Sequence, residues 1–357
     1  MKNIIYTIRA FFRLNFRHSF YFLLMLTKKK LFRFFFIYHK RGGSQLSLTP
    51  ILDPLFDIRT KSHFINKERA SFINQELKLF PKWNPTGSSI LWKFHLHSFE
   101  YLRTIKSYDQ GIYFIDDWLE NNMPDPNLSW HPYNLSLRIC NWIWYISSIN
   151  DVYNEKFKHI VKSLYHQTSF LANHLEREKE GNHLIENCKS IIISGYFFNK
   201  TEWVKKGFKI LQIELKRQIY NEGSHYEKSA MYHSIVLECL VTIYFTSLND
   251  NSSYTIKVIL LENIKKMTIY LSDIMLKNQL PIQHDSCRNI SSNFKELYKK
   301  INEITKIENS NNVTQVFYEE IGNYVYKNNN IYLLFDAGNP EPIFRPGLSH
   351  NRVFHYD

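Results

Sequence analysis

GNHLIENCKSIIISGYFFNKTEWVKKGFKILQIELKRQIYNEGS, residues 181–224, is the stretch on which the fold turns. Apolar side chains over 184–198, and again over 201–219, recur near i, i+3, i+4 and i+7, the period of a helix with a buried face. The polar connections NKTE and NEGS are short, so consecutive helices must fold back on one another as antiparallel neighbours. The same rhythm extends outward, to 134–149 and 155–178 before the stretch and to 228–245 and 254–277 after it. No strict internal repeat accompanies it, which argues against a simple solenoid and for a curved array of helical hairpins.

The pattern changes after KIENSNN. VTQVFYEE, NYVYKN and NIYLLFDAG are short, β-branched and aromatic, with Asn or Gly between them, and read as a β meander. Three strands alone are marginal in water, so the meander must pack on the helices or belong to a larger sheet. On the other side, the turn-like KRGGS at 40–44 and an irregular, Pro-bearing stretch over 50–85 precede the helices. Three regions follow: a basic, aromatic helical segment over 1–40, a helical catalytic domain over 41–308 and the start of a C-terminal β domain over 309–357.

A chain of 357 residues with 44% hydrophobic content buries a large core, which excludes disorder. The net charge of +12 points to an anionic partner: nucleic acid, lipid headgroups or an acidic polysaccharide. The basic residues are dispersed and no nucleic-acid module motif appears, which argues against the first. Aromatics reach 16%, and their flat rings suit sugar faces as well as a core. Cys140, Cys188, Cys239 and Cys287 form no CxxC pair and no metal-ligand spacing with His, and read as buried thiols.

The uncharged run at 19–27 falls short of the roughly 20 residues a membrane span requires, and no small-residue cleavage site precedes Lys28. A cytoplasmic or membrane-peripheral location is therefore expected. Basic residues among Phe, Leu and Tyr in this segment suit peripheral contact with an anionic membrane surface, and suit equally a helix packed on the main body.

Polar side chains collect at the helix starts. Gly181 and Asn182 suit a helix end and a cap. His183, Glu186 and Asn187, at i, i+3 and i+4, share a face. Burying such a face without partners costs about 1–3 kcal/mol per group, so it meets other polar groups or solvent. In NEGSHYEKSAMYH, 221–233, Ser224 is a candidate cap, Glu227 and Ser229 fall in the first turns, and Tyr232 and His233 come one turn later. Helix starts one hairpin apart lie at the same end of an array, which brings these two clusters to a common cleft. In WHPYNLSLRICNWIWYISSIN, 130–150, Arg138, Asn141 and Trp142 again share a face. An arginine beside an exposed tryptophan suits a carboxylated or sulfated sugar; the alternative is an arginine buried with its tryptophan in the core.

PYNLSLRICNWIWYI, GNHLIENCKSIIISGYFF, EGSHYEKSAMYH, LPIQHDS and FDAGNPEP followed by RPG resemble, in order and spacing, the heparinase II/III family of polysaccharide lyases, including its alginate-lyase-like members and relatives in bacterial surface-polysaccharide gene clusters. The resemblance covers roughly residues 100–357 and implies a mainly α fold: an incomplete (α/α) toroid, followed by the first strands of a truncated β-sandwich. It implies cleavage of an acidic glycan, uronic-acid-containing or sulfated, by β-elimination. Asn182 and His183 match positions that neutralise the uronate carboxylate, Tyr232 matches the catalytic tyrosine, and Glu186 matches a glutamate held beside the site. Arg138, Asn141, Trp142, Glu227 and His233 complete the expected substrate-binding set. The family also uses a His-x-His-x-Asp stretch; here FHYD supplies His355 and Asp357, with Val353 where the first histidine would stand. The family's metal ligands lie mostly further into the β domain, so neither metal nor other cofactor is expected.

The physics of that reaction fits these residue types. The hydrogen α to a carboxylate is not acidic while the carboxylate keeps its full charge, and each well-placed donor that offsets the charge contributes about 3–4 kcal/mol. A tyrosine titrates near 10 in water, so it needs positive neighbours such as His183 or Arg138 to act as a base. Two alternatives remain open: a glycan-binding scaffold of the same fold with impaired catalysis, and a glycoside hydrolase with Glu186 and Glu227 facing each other across about 5–10 Å.

Overall fold

The computed structural model describes residues 46–339, apart from 59–63, 67, 80–82, 106, 123, 125–127, 150–153, 278, 285, 287–292 and 308–313, together with positions 20, 21, 23, 24, 26 and 27. His355, Asp357, Val353, Cys287 and most of the segment 1–40 lie outside the described residues.

Among the described residues, nine helices follow one another: α1 (Ile90–Ser98), α2 (Tyr108–Asn121), α3 (Pro132–Ser147), α4 (Lys158–Asn173), α5 (Gly181–Phe197), α6 (Thr201–Gln218), α7 (Ala230–Thr246), α8 (Tyr254–Ile274) and α9 (Phe294–Thr305). They alternate between two layers. In the inner layer α5 packs between α3 and α7, and α1 packs on α3; α4, α6 and α8 lie behind their hairpin partners, and α9 rests on α8. Residue choice explains the division. In α6, Trp203, Val204, Gly207, Phe208, Leu211 and Leu215 form one buried stripe, as an outer amphipathic helix requires. Every residue of α5 is buried except His183 and Tyr196, which is the pattern of a helix enclosed on all sides. A Cβ on Gly207 would lie 2.4 Å from Ile192, so glycine lets the two helices of this hairpin approach closely. This two-layered array of hairpins is the expected toroid architecture.

The stretch read as irregular holds a small antiparallel sheet of β1 (Phe64–Ile65), β2 (Arg69–Phe72) and β3 (Gln75–Lys78). Strands of two to four residues are too short to display alternation, but Phe72 anchors the sheet edge-on to Trp92 of α1 at 4.9 Å. The meander forms as expected from β4 (Gln315–Tyr318), β5 (Asn323–Lys327) and β6 (Tyr332–Asp336), in that order. It packs on the helices. Tyr318 Oη donates to Asp273 Oδ2 at 2.6 Å, Asn323 Nδ2 to Tyr270 Oη at 2.7 Å and Lys327 Nζ to the Ser272 carbonyl at 3.1 Å, all at the end of α8. Phe317, Leu333 and Phe335 remain exposed on its other face. Cys140, Cys188 and Cys239 are buried. No described helix is long and apolar enough to cross a membrane.

Candidate active site

The site is assembled by tying two helix starts together. Gly181 opens α5 at φ +60°, and a Cβ there would fall 2.1 Å from Glu227 Oε1. Glu227 occupies that space: its Oε1 accepts the Asn182 backbone N–H at 2.9 Å and its Oε2 accepts Asn182 Nδ2 at 2.8 Å. A carboxylate at a helix N-terminus meets unsatisfied N–H groups and the positive end of the dipole. The expected roles of Gly181 and Asn182 as terminator and cap are thus corrected: the helix begins at Gly181, Asn182 lies inside it, and the capping acceptor comes from the segment before α7. Ser229 caps α7, accepting from the Tyr232 N–H at 3.3 Å. Ser224 does not cap; it is buried in the preceding loop and donates to Glu222 Oε1 at 3.1 Å. Tyr232 therefore sits half-buried in the first turn of α7, next to the segment that holds Asn182.

His183 emerges from the first turn of α5 with its side chain 32% exposed. Its Nδ1 lies 3.1 Å from Glu176 Oε1, and the Tyr133 ring stacks on its imidazole at 4.2 Å. Glu176, in the loop between α4 and α5, is buried. Lys179 Nζ at 3.0 Å and His131 Nε2 at 3.6 Å approach the same oxygen, while Asn187 Nδ2 donates to Oε2 at 3.3 Å. Burial alone would raise this carboxyl, but the hydrogen bond and charge of His183, with His131 and Lys179, hold it far below the usual carboxylate range. The Tyr133 hydroxyl moves the other way. Burial, and then the nearby Glu186, Cys239, Glu100 and Tyr232, push it well above the ordinary tyrosine value. Tyr133, in the first turn of α3, thus stacks on His183 of α5 and lies within electrostatic reach of Tyr232 of α7, where the starts of these three helices come together.

Several expected ligand contacts are corrected by burial. Arg138 is fully buried, with its guanidinium 4.0 Å from the Trp118 ring centre, Nε donating to Gln167 Oε1 at 2.9 Å and Nη1 to the Ser129 carbonyl at 2.6 Å. Trp142 is fully buried too, edge-on to Trp118 and Phe99. Asn141 accepts from Arg103 Nη2 at 2.8 Å and donates to the Ser98 carbonyl at 2.9 Å. The buried-core alternative for this trio is the one realised: the indoles of Trp118, Trp130 and Trp142, at 4.0, 5.8 and 6.0 Å, form a cage that replaces the water shell of the cation. His233 is enclosed beside the Met267 carbonyl at 2.9 Å, and burial lowers its pKa to about 4. Glu186 is buried against Lys189 Nζ and Cys239 Sγ, and Glu227 serves Asn182; neither carboxylate fronts an open groove, which removes the hydrolase geometry. His355 lies outside the described residues.

Tyr133, His131, Glu176 and Lys179 are the members the sequence reading missed. Tyr133 is the Tyr of the quoted PYNLSL, three residues after Trp130, and Glu176 belongs to the acidic run LEREKE that directly precedes GNH. No group of His, Cys, Asp or Glu suited to hold a metal ion occurs among the described residues. A groove of about 540 Å³ opens at the far end of α5, but there Tyr196 and Asp250 are bonded to each other at 2.8 Å and the groups described above are absent.

The helical region has relatives among known proteins. A family model described as Heparinase II/III N-terminus matches residues 100–314. A heparin-sulfate lyase of Pedobacter heparinus is 20% identical over 181 residues, 47% of this chain and 27% of that protein. A heparin-sulfate lyase of Bacteroides thetaiotaomicron is 29% identical over 129 residues, 33% of this chain and 18% of that one. The crystal structure of heparinase III superposes with a TM-score of 0.64 at 17% identity, covering 92% of this chain and 62% of that one. The chain thus aligns with only part of each relative's length. With the family model spanning more than half of the sequence and the hairpin array superposing on a solved member, the chain belongs to the heparinase II/III family.

Proposed function

We propose that the chain is a polysaccharide lyase that cleaves an acidic glycan by β-elimination at the mouth formed by α3, α5 and α7. The observation that carries this reading is the exposure of His183 on an otherwise enclosed helix start, beside Asn182, which Glu227 ties to the segment that leads into Tyr232 at the start of α7. In the reaction a base removes the hydrogen α to the uronate carboxylate, the electron pair forms a C=C bond, and the glycosidic C–O bond on the β carbon breaks as its oxygen takes a proton. Asn182 and His183 donate to the carboxylate, where charge grows as the hydrogen leaves. Tyr232 takes the proton and returns it to the leaving oxygen. Tyr133, held protonated by burial, is a neutral neighbour and not the base. Region 41–308 supplies these groups, and His355 of region 309–357 would complete them.

The relatives' names make heparan sulfate the first substrate to test, and the net charge of +12 favours an acidic polysaccharide as partner over an uncharged one. Peripheral contact of the segment 1–40 with anionic lipid belongs to the same reading. A glycan-binding scaffold is the second reading, favoured by one observation: Asn182 Nδ2 already donates one hydrogen to Glu227. The two separate on incubation with heparan sulfate, alginate and other acidic glycans, with the absorbance of unsaturated ends as the signal. The lyase reading expects that signal to fall about 100-fold or more in Tyr232→Phe. An equal signal from that variant would remove the mechanism, and binding without unsaturated ends would give the scaffold.

A further inference from the structure

The cluster around Glu176 has more in it than the reaction so far uses. An ionised carboxylate only accepts hydrogen bonds, so the 3.1 Å contact between Glu176 Oε1 and His183 Nδ1 requires the hydrogen to sit on Nδ1. The second ring nitrogen, Nε2, is then the one left for the mouth. Glu176 is well fixed for such a duty. Its own backbone N–H donates to Asn187 Oδ1 at 2.9 Å, Asn187 Nδ2 reaches Ser136 Oγ of α3 at 3.0 Å, and the ring it addresses is held flat by Tyr133.

We propose that Glu176 is the positioning residue of His183: it fixes the imidazole with hydrogen on Nδ1 and Nε2 facing substrate, and supplies the negative charge that lets the ring donate to a substrate carboxylate. The proposal rests on the lyase reading for its chemistry, but the ring state can be tested without it. When a uronate carboxylate meets Nε2, the imidazole lies between two anions and, doubly protonated, donates to both. The substrate's charge grows in the transition state, so the contribution of Glu176 grows with it and falls on kcat rather than on binding. Lys179 and His131 bear on the same carboxylate oxygen and moderate its charge, and Tyr133, of α3, is the ring stacked on His183.

Two variants separate orientation from charge. Glu176→Gln keeps an acceptor oxygen but loses the charge, and Glu176→Ala loses both. In the ring ¹⁵N spectrum of the full chain at alkaline pH, the wild type and Glu176→Gln should show the His183 hydrogen on Nδ1, while Glu176→Ala should move it to Nε2. On heparan sulfate, Glu176→Gln should lower kcat about 10- to 100-fold, the range found when the partner behind a metal-ligating histidine is removed, with KM little changed. A His183 hydrogen that stays on Nδ1 in Glu176→Ala, or that sits on Nε2 in the wild type, overturns the proposal. If the alanine variant does not fold, a wild-type kcat in Glu176→Gln overturns it instead. If the wild type releases no unsaturated ends, the lyase reading fails and the ring spectra still decide the orientation.

Discussion

A carboxylate buried beside His183, His131 and Lys179, as Glu176 is, resists protonation in the folded chain more than in the unfolded one. Its folded pKa is depressed, so its contribution to stability is present above the unfolded value of about 4.3 and is lost as the pH falls from there towards and through the folded value. Glu176→Gln should therefore flatten the decline of the urea midpoint measured in steps below about pH 4.3. Some slope should remain. Although burial works against them, the hydroxyls of Ser252, Ser253 and Tyr196 hold Asp250 low, and His284 and the Gly338 N–H hold Asp336 low. An unchanged slope would mean that Glu176 is not ionised in the fold. At this scale the sequence revealed residues that share a helix face by their spacing, such as His183 and Asn187. It hid those whose meaning comes from distant partners. Nothing within four residues of Glu227 marks it as the acceptor for Asn182, 45 positions away.

Between elements, polar contacts do what apolar packing does within the hairpins. Glu222, in the loop before α7, accepts the N–H of Ile321 at 2.8 Å and of Glu320 at 3.1 Å, and Glu320 in return accepts from the Glu222 N–H at 3.1 Å and Asn221 Nδ2 at 2.9 Å. On the other side of that loop, Lys228 and His284, both in the left-handed backbone region at φ +59° and +53°, converge on Asp336 of β6 at 3.5 and 2.9 Å. The meander is thus fastened to the segment that carries Glu227. Glu222→Ala should release the turn between β4 and β5 at about 1–3 kcal/mol for the buried Ile321 N–H left without an acceptor, read as faster amide exchange at Glu320 and Ile321 than across α5. Equal exchange in variant and wild type would count against the fastening. Most helix boundaries were readable here because the apolar period ends where the polar connections begin, but the helix expected over 155–178 spans only Lys158–Asn173 and leaves Glu176 in the loop that follows. The sheet of β1 to β3 was not, since its pairing partners rather than its pattern define it.

For the whole molecule, the alternation of enclosed and amphipathic helices was legible in the hairpin rhythm, and it determines which layer each helix joins. The tryptophan cage was misread for a related reason: spacing places Arg138 and Trp142 on one face but does not tell whether that face looks in or out. In the fold it looks inward, where burial lowers Arg138 to about 9. Arg138→Lys keeps the charge but loses the planar fork and the stacking, and should cost about 3 kcal/mol or more in stability. A lower Tm with unchanged heparan sulfate binding per folded molecule is the expected outcome; weaker binding at an unchanged Tm would return Arg138 to the ligand. The Glu227 tie also bears on how this mouth could change over time. It works as a caliper, with one jaw on Asn182 and its hinge a few residues ahead of Tyr232, so lengthening or shortening that single side chain by one methylene would reset the gap between both helix starts at once. Glycine at 181 is what leaves room for the carboxylate, so a side chain there would close the caliper's jaw.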